Sequence, residues 1–335
     1  MDFYDLLGIL SMGLLKKTEE GTLSTQEETI YHSDEVKPKN YSFRPRTLEE
    51  YIGQERAKEL ITLNIKKIQQ IKPVHFIISG TRGHGKTTLA YIIARELGFN
   101  IKTYIGGSFS MDNLKDFLIE NEKSAKPMIL FLDEIHGLSK EIAEFLYPLT
   151  EDFLLPIDNI KVKPFILIGA TTDKNILLKK FSPLVDRCGA QVNLETYNAE
   201  DIKKILKQYN NMTHSADIVE GIYDILSINT RYNPRTSIAL MDDYIVSKDI
   251  IKVLRAHRIV KNSLTTDDIL ILEHLMEIGK PVGLETLAII IQQTKADYQI
   301  LVEPFLLVSG YISRTSRGRV ITQKGIELLR SINGE

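Results

Sequence analysis

Eight residues, Gly80-Thr81-Arg82-Gly83-His84-Gly85-Lys86-Thr87, constrain this chain more than any other stretch. They fit the pattern G-x-x-x-x-G-K-[ST], follow the apolar run Phe76-Ile77-Ile78 directly and open a helical pattern over 87–97. Strand, glycine-rich loop and helix in that order make a phosphate cradle. The glycines let backbone N–H groups wrap an anion, and the helix N-terminus favours negative charge. The expected ligand is ATP with Mg²⁺. Lys86 would reach the β- and γ-phosphates and the Thr87 hydroxyl would hold the metal. Gly80, Gly83, His84, Gly85, Lys86, Thr87 and Thr88 are the expected nucleotide-binding residues of the loop.

A phosphate cradle needs a sheet behind it, and the flanking pattern supplies one. Apolar runs bounded by turn residues lie at 74–79, 128–132 and 165–169, with helical patterns such as 87–97 and 111–122 between them. Strands alternating with helices predict an α/β fold, a parallel sheet covered on both faces. The run Met128-Ile129-Leu130-Phe131-Leu132 ends in Asp133-Glu134, which places two carboxylates at the carboxyl edge of that sheet. Asp133 would bind Mg²⁺ and Glu134 would activate the attacking water, which favours a hydrolase.

From about Ala199 the β signal fades and 199–262 reads as helices, interrupted at Asn233-Pro234. From Ser263 short helices precede an alternating stretch, 311–321, around Arg317-Gly318-Arg319. The expected organisation is therefore 1–40 as an apolar peptide plus flexible linker, 41–190 as the nucleotide-binding domain, 191–262 as an all-α lid and 263–335 as a third domain. In the first segment Phe3, Leu6, Leu7, Leu10 and Leu14 share a helical face, and the polar residues 16–40 read as a tether.

Net charge is −2, from 42 basic and 44 acidic residues, so any contact with nucleic acid must come from a local patch. Arg314, Arg317, Arg319, Lys324 and Arg330 form one, with Glu327 the nearby acid in sequence. A hairpin with Arg-Gly-Arg at its tip suits DNA phosphates and predicts no base reading. The lone Cys188 fits a reducing cytoplasm, and no apolar run approaches the roughly 20 residues of a membrane span. The N-terminus lacks the charge and cleavage pattern of a signal peptide.

These residues resemble the RuvB family of Holliday-junction branch-migration ATPases, within the AAA+ superfamily. Phe43-Arg44-Pro45-Arg46-Thr47-Leu48-Glu49-Glu50-Tyr51-Ile52-Gly53-Gln54 is similar to the family's opening segment, so Arg44, Tyr51 and Ile52 are expected beside the adenine. Ile168-Gly169-Ala170-Thr171-Thr172 resembles its sensor strand, with Thr172 sensing the γ-phosphate. Pro183-Leu184-Val185-Asp186-Arg187-Cys188-Gly189 resembles the stretch carrying an arginine finger, and Asn233-Pro234-Arg235 the helix start whose arginine closes the lid. By resemblance, Arg187 acts in trans, which implies a ring, a hexamer. The stretches 281–288, 303–305 and 310–320 look like the family's winged helix, which assigns 263–335 to DNA binding.

The chain also departs from the family. Val185 stands where a second arginine is usual, Cys188 where phenylalanine is usual, and Thr81-Arg82 where the loop has two prolines. Tyr232-Asn233 replaces a glycine, and 153–164 is shorter than the family's partner-binding hairpin. A protein partner is expected through the N-terminal peptide instead. The reading is an ATP-driven motor on branched DNA. Two alternatives remain: a loader or adaptor ATPase that places a partner on DNA, and a remodeller that does not act on DNA. A branch-migration assay separates the first two.

Overall fold

The computed structural model describes residues 44–156, 160–213 and 216–333. The N-terminal peptide and tether assigned to 1–40 lie outside the described residues. The described residues form two compact units that divide after Thr196.

The first unit is a five-stranded, all-parallel sheet in the order β2-β3-β4-β1-β5. Its elements run α1 (Glu55–Gln70), β1 (Phe76–Ser79), α2 (Lys86–Leu97), β2 (Asn100–Ile105), α3 (Met111–Lys123), β3 (Met128–Asp133), α4 (Lys140–Glu151), β4 (Ile166–Thr171), α5 (Lys174–Arg187) and β5 (Ala190–Asn193). The inner strands are buried on both faces, so their sequences are continuous apolar runs. Successive side chains still alternate between faces. Ile77, Leu130, Leu132 and Leu167 meet Phe117 of α3, Leu146 of α4 and Leu184 of α5. Phe76, Ile78, Phe131 and Ile168 meet Ile61 of α1 and Leu89 and Ile93 of α2.

The expected boundary at 190 falls inside this sheet. β5 begins at Ala190 and its backbone pairs with β1 as far as Asn193, so the unit closes at Thr196. After α4, Leu154 is bridged to Lys161 and Leu155 N–H donates to Ile160 O at 2.9 Å. Leu155 and Val162 turn into the core.

The second unit contains α6 (Ala199–Thr213), α7 (Glu220–Ile228), α8 (Pro234–Ser247), α9 (Ile250–Ala256), the hairpin β6 (Ile259–Lys261) and β7 (Leu264–Thr265), α10 (Thr266–Ile278), α11 (Leu284–Ile290), the turn α12 (Lys295–Asp297), a π-helical turn Tyr298–Val302, α13 (Glu303–Val308), the hairpin β8 (Ile312–Thr315) and β9 (Gly318–Ile321), and α14 (Gln323–Asn333). Asn233-Pro234 does not merely interrupt a helix; it starts α8. Asn233 Oδ1 accepts the N–H groups of Arg235 and Thr236, and proline occupies a first-turn position where no donor is needed. The third domain is expected to begin at Ser263. Ser263 lies in the β6–β7 turn, with its hydroxyl donating to Ile228 O and its N–H to Asn229 Oδ1, so lid and wing residues share one compact body. Val282 exchanges both backbone hydrogen bonds with Arg319, which adds a third strand position to the wing. Among the described residues, no helix is long and apolar enough to cross a membrane.

Candidate functional site

The phosphate loop leaves the carboxyl end of β1, between β4 and β5. Gly83 and Gly85 have φ of 86° and 93°, conformations that side chains rarely adopt. At Gly85 the exclusion is also spatial: a Cβ would lie 2.4 Å from the Tyr51 hydroxyl oxygen. That hydroxyl donates to the His84 carbonyl at 2.8 Å, and Tyr51 is buried. Tyr51 therefore braces the loop from beneath, a contact that sequence spacing could not give because the partners are 33 residues apart. Burial and the nearby Lys86 charge push the His84 imidazole down to about 4, so this loop residue is neutral at physiological pH.

Lys86 is 7% exposed and its ammonium donates to Gly80 O at 2.8 Å and Thr81 O at 3.2 Å. The positive charge is thus fixed over the loop by the loop's own carbonyls. Thr87 Oγ1 donates to Asp133 Oδ2 at 3.3 Å, bringing a hydroxyl from the first turn of α2 and a carboxylate from the end of β3 to one point. Left-handed glycines, a buried ammonium and this oxygen pair fit a nucleotide with Mg²⁺, which takes one or two protein oxygens and completes its shell from phosphates and water. Thr88 is half-buried in the first turn of α2.

Glu134 follows Asp133 in the left-handed region, φ 50°, ψ 49°. A non-glycine residue held there is costly and marks a constrained position. Its Oε2 accepts the Thr172 N–H at 3.1 Å and the Thr172 hydroxyl at 2.9 Å, and lies 3.3 Å from His136 Nδ1. His136 also meets Thr171 Oγ1 at 2.9 Å. The expected pair Glu134 and Thr172 are therefore in direct contact. His136 joins them unforeseen, although it stands only two residues after Glu134 in the sequence.

Arg187 ends α5. Its Nε and Nη2 both meet Glu151 Oε2 at 2.8 Å, Nη1 donates to Pro183 O at 2.7 Å, and the guanidinium lies 5.4 Å over the Tyr147 ring. Arg187 is thus engaged within its own chain, by Glu151 from α4 rather than by Asp186 or Glu195. Arg44 is exposed, with its guanidinium 5.8 Å over Tyr91, and Ile52 is half-buried beside Tyr51 in the chain. Arg235 is exposed in the first turn of α8.

In the wing the basic cluster is not arranged as its sequence suggests. Glu303, fully buried on α13, takes Arg314 on both oxygens (3.1 and 2.7 Å) and Arg319 on Oε1 (2.6 Å). Burial would raise the Glu303 carboxyl, but the two guanidiniums outweigh it and hold the group below the usual carboxylate range. The Arg319 side chain is 15% exposed and Arg314 56%. Arg319, expected at the DNA surface, is turned inward onto Glu303. Arg314 is shared between carboxylate and solvent. Arg317 occupies the exposed turn, between Thr315, whose hydroxyl donates to Gly318 O, and Gly318, where a Cβ would lie 2.3 Å from Val282 O.

Residues 43–194 match the family model described as the Holliday junction DNA helicase RuvB P-loop domain, and residues 261–330 match the RuvB C-terminal winged helix domain. The RuvB subunit of the Holliday junction branch migration complex from Ehrlichia ruminantium is 33% identical over 313 residues, covering 87% of this chain and 93% of that protein. Its Thermotoga maritima counterpart is 32% identical over 332 residues, covering 91% and 96%. The solved Thermotoga maritima RuvB branch migration motor superposes with a TM-score of 0.71 over 86% of this chain and 98% of that one, at 32% identity.

Proposed function

This chain belongs to the RuvB family of AAA+ ATPases, and on that premise we propose that it hydrolyses Mg²⁺-ATP within a hexameric ring and uses the reaction to move branched DNA. The observation that carries the reading is the convergence of Lys86, Thr87, Asp133, Glu134 and Thr172 on one edge of the sheet. Lys86 neutralises charge on the β- and γ-phosphates, and Thr87 with Asp133 holds the metal. The metal, when bound, would offset negative charge on the phosphates. Glu134 takes a proton from water as the water oxygen bonds to the γ-phosphorus and the bond to the β-phosphate oxygen breaks, releasing ADP. In the described state Thr172 holds the Glu134 carboxylate, so Thr172 controls when that base is available.

Arg187 exchanges Glu151 for the γ-phosphate of a neighbouring subunit, and a finger of this kind contributes about 10³–10⁵ in rate. Glu151 is half-exposed, so the exchange gives up an ion pair of about 0–1 kcal/mol. Arg235 closes the lid on the nucleotide, with Arg44, Tyr51 and Ile52 on the adenine side. Arg317 and Arg314 supply the wing's contact with DNA phosphates. A single cysteine, Cys188, allows no internal disulfide, which suits a reducing cytoplasm.

The test is ATP-driven dissociation of a synthetic four-way junction. The parent should dissociate it, Glu134→Gln should bind ATP without doing so, and a mixture of Arg187→Ala with Lys86→Ala should recover part of the ATPase. ATP hydrolysis with no junction movement would replace this reading by the loader. Failure of the mixture to recover, with mixed assembly verified, would make Arg187 a structural residue.

A further inference from the structure

The turn that starts α8 carries a run of left-handed backbone. Arg231 and Tyr232 are consecutive non-glycine residues with φ of 51° and 54°. By the family resemblance Tyr232-Asn233 replaces a glycine, so this turn holds left-handed backbone without the residue that would relax it. Such a conformation persists where the surroundings over-determine it, and here the Arg231 side chain does so. Its backbone N–H donates to Ser263 Oγ at 2.7 Å, and Nη2 reaches Asp268 Oδ2 at 2.5 Å. Nη1 donates to Leu301 O, and the guanidinium lies 4.3 Å over the Phe305 ring. One lid residue thereby grips the β6–β7 turn, α10, the π-helical turn and α13. Asp268 is fully buried, and its carboxyl is pushed upward by burial in spite of Arg231.

The gripped residues lead to the wing. Leu301 and Phe305 bracket Glu303, the carboxylate that fastens Arg314 and Arg319, and these flank Arg317. At the other end, Arg231 precedes Arg235 by four residues in the same capped turn. We infer that Arg231 is a positioning residue that couples the nucleotide-contacting start of α8 to the DNA-contacting wing, so that the two shift together. A planar guanidinium suits this task, because it makes a forked hydrogen bond and a stack at once, which an ammonium cannot. The inference rests on the proposed roles of Arg235 and Arg317.

Coupling of this kind is reciprocal: nucleotide must change DNA affinity by the same factor as DNA changes nucleotide affinity. The experiment titrates the full-length protein with a fluorescent four-way junction, with and without a non-hydrolysable ATP analogue, and performs the converse titration. For the parent the two factors should agree and fall on the order of 5–150-fold. Arg231→Lys retains a charge for Asp268 and loses the stack and fork. It should bring both factors within about twofold of unity, while each ligand measured alone binds within about twofold of the parent. Phe305→Leu, which leaves every Arg231 hydrogen bond in place, should reduce the factors in the same direction if the lysine variant does not fold. Factors unchanged in the folded variants overturn the inference, as does loss of either ligand's affinity measured alone, which is the mark of a merely structural residue. A parent that binds both ligands with a factor of one overturns this inference alone; a parent that binds no DNA overturns the function on which it rests.

Discussion

Replacing Glu303 by glutamine tests whether the wing's arginines are held by a buried charge or simply lie near one. Glutamine keeps the size and one acceptor but removes the charge, leaving Arg319, 15% exposed, without a counterion. Breaking a buried pair by removing one member costs about 3–5 kcal/mol. Arg314, at 56% exposure, can turn to water, so its share is that of a surface pair, about 0–1 kcal/mol. The low end of the range therefore applies, about 3 kcal/mol, or roughly 10 °C in the midpoint for a unit of this size. Thermal unfolding followed by circular dichroism measures it. Replacing Glu303 and Arg319 together by leucine should recover most of the loss, since an apolar pair of similar volume substitutes well for a buried ion pair. The sign of the pH dependence is fixed as well. Because the folded-state carboxyl sits below its ordinary range, its contribution is complete above the unfolded value and disappears as pH falls through the folded one. The glutamine variant also releases Arg314 toward DNA, which should steepen the dependence of log affinity on log salt by about 0.9 if it gains a phosphate. A midpoint loss under about 3 °C, less than 1 kcal/mol, would show that Arg319 is not charge-locked and return it to the DNA surface.

Two further outcomes follow from the first unit. Burial pushes the His75 imidazole down to about 4, and its neutral ring accepts from Leu167 N–H on Nδ1 at 2.9 Å and meets Thr150 O through Nε2 at 2.8 Å. The unfolded chain takes up the proton first, so stability should be level above pH 6.5 and fall by about 2 kcal/mol by pH 5; denaturant titrations of His75→Asn should show a shallower fall, and an equal slope would exonerate His75. Gly85→Ala should lose more than about tenfold in nucleotide affinity, because the new methyl meets Tyr51 in a backbone that favours glycine; Tyr51→Phe in the same chain should return part of it, and parental affinity in the single variant would show that the loop does not depend on this brace.

What the sequence made legible depended on where each element lies in the sheet. β1, β3 and β4 are inner strands, buried on both faces, and they were visible as unbroken apolar runs. β2 and β5 are the two edges: β2 alternates between half-buried and exposed, and β5 reads Ala-Gln-Val-Asn, so neither carries such a run and β5 was cut from its domain. The phosphate site was legible because Lys86 and Thr87 are adjacent and Asp133 and Glu134 are adjacent, so the fold has only to bring two dipeptides together. Glu151 under Arg187, Glu303 under two arginines and Gln54 across to Glu195 pair residues 11 to 141 positions apart, and no periodicity links them. The basic cluster was visible as composition, but composition counts charges without saying which of them face a carboxylate.

The strand order has a consequence for which changes this chain can tolerate. β4 lies between β1 and β3, and its tip serves both neighbours at once: the Thr171 carbonyl accepts the N–H of Gly80, and Thr172 holds Glu134. Consecutive residues of a strand face opposite ways, so losing or gaining a single position between Ile166 and Thr172 would reverse both assignments together. Substitutions there can be absorbed one at a time, but a shift in length cannot. A change in length is therefore better absorbed at the far end of β4, where the chain enters the sheet, than where it leaves it.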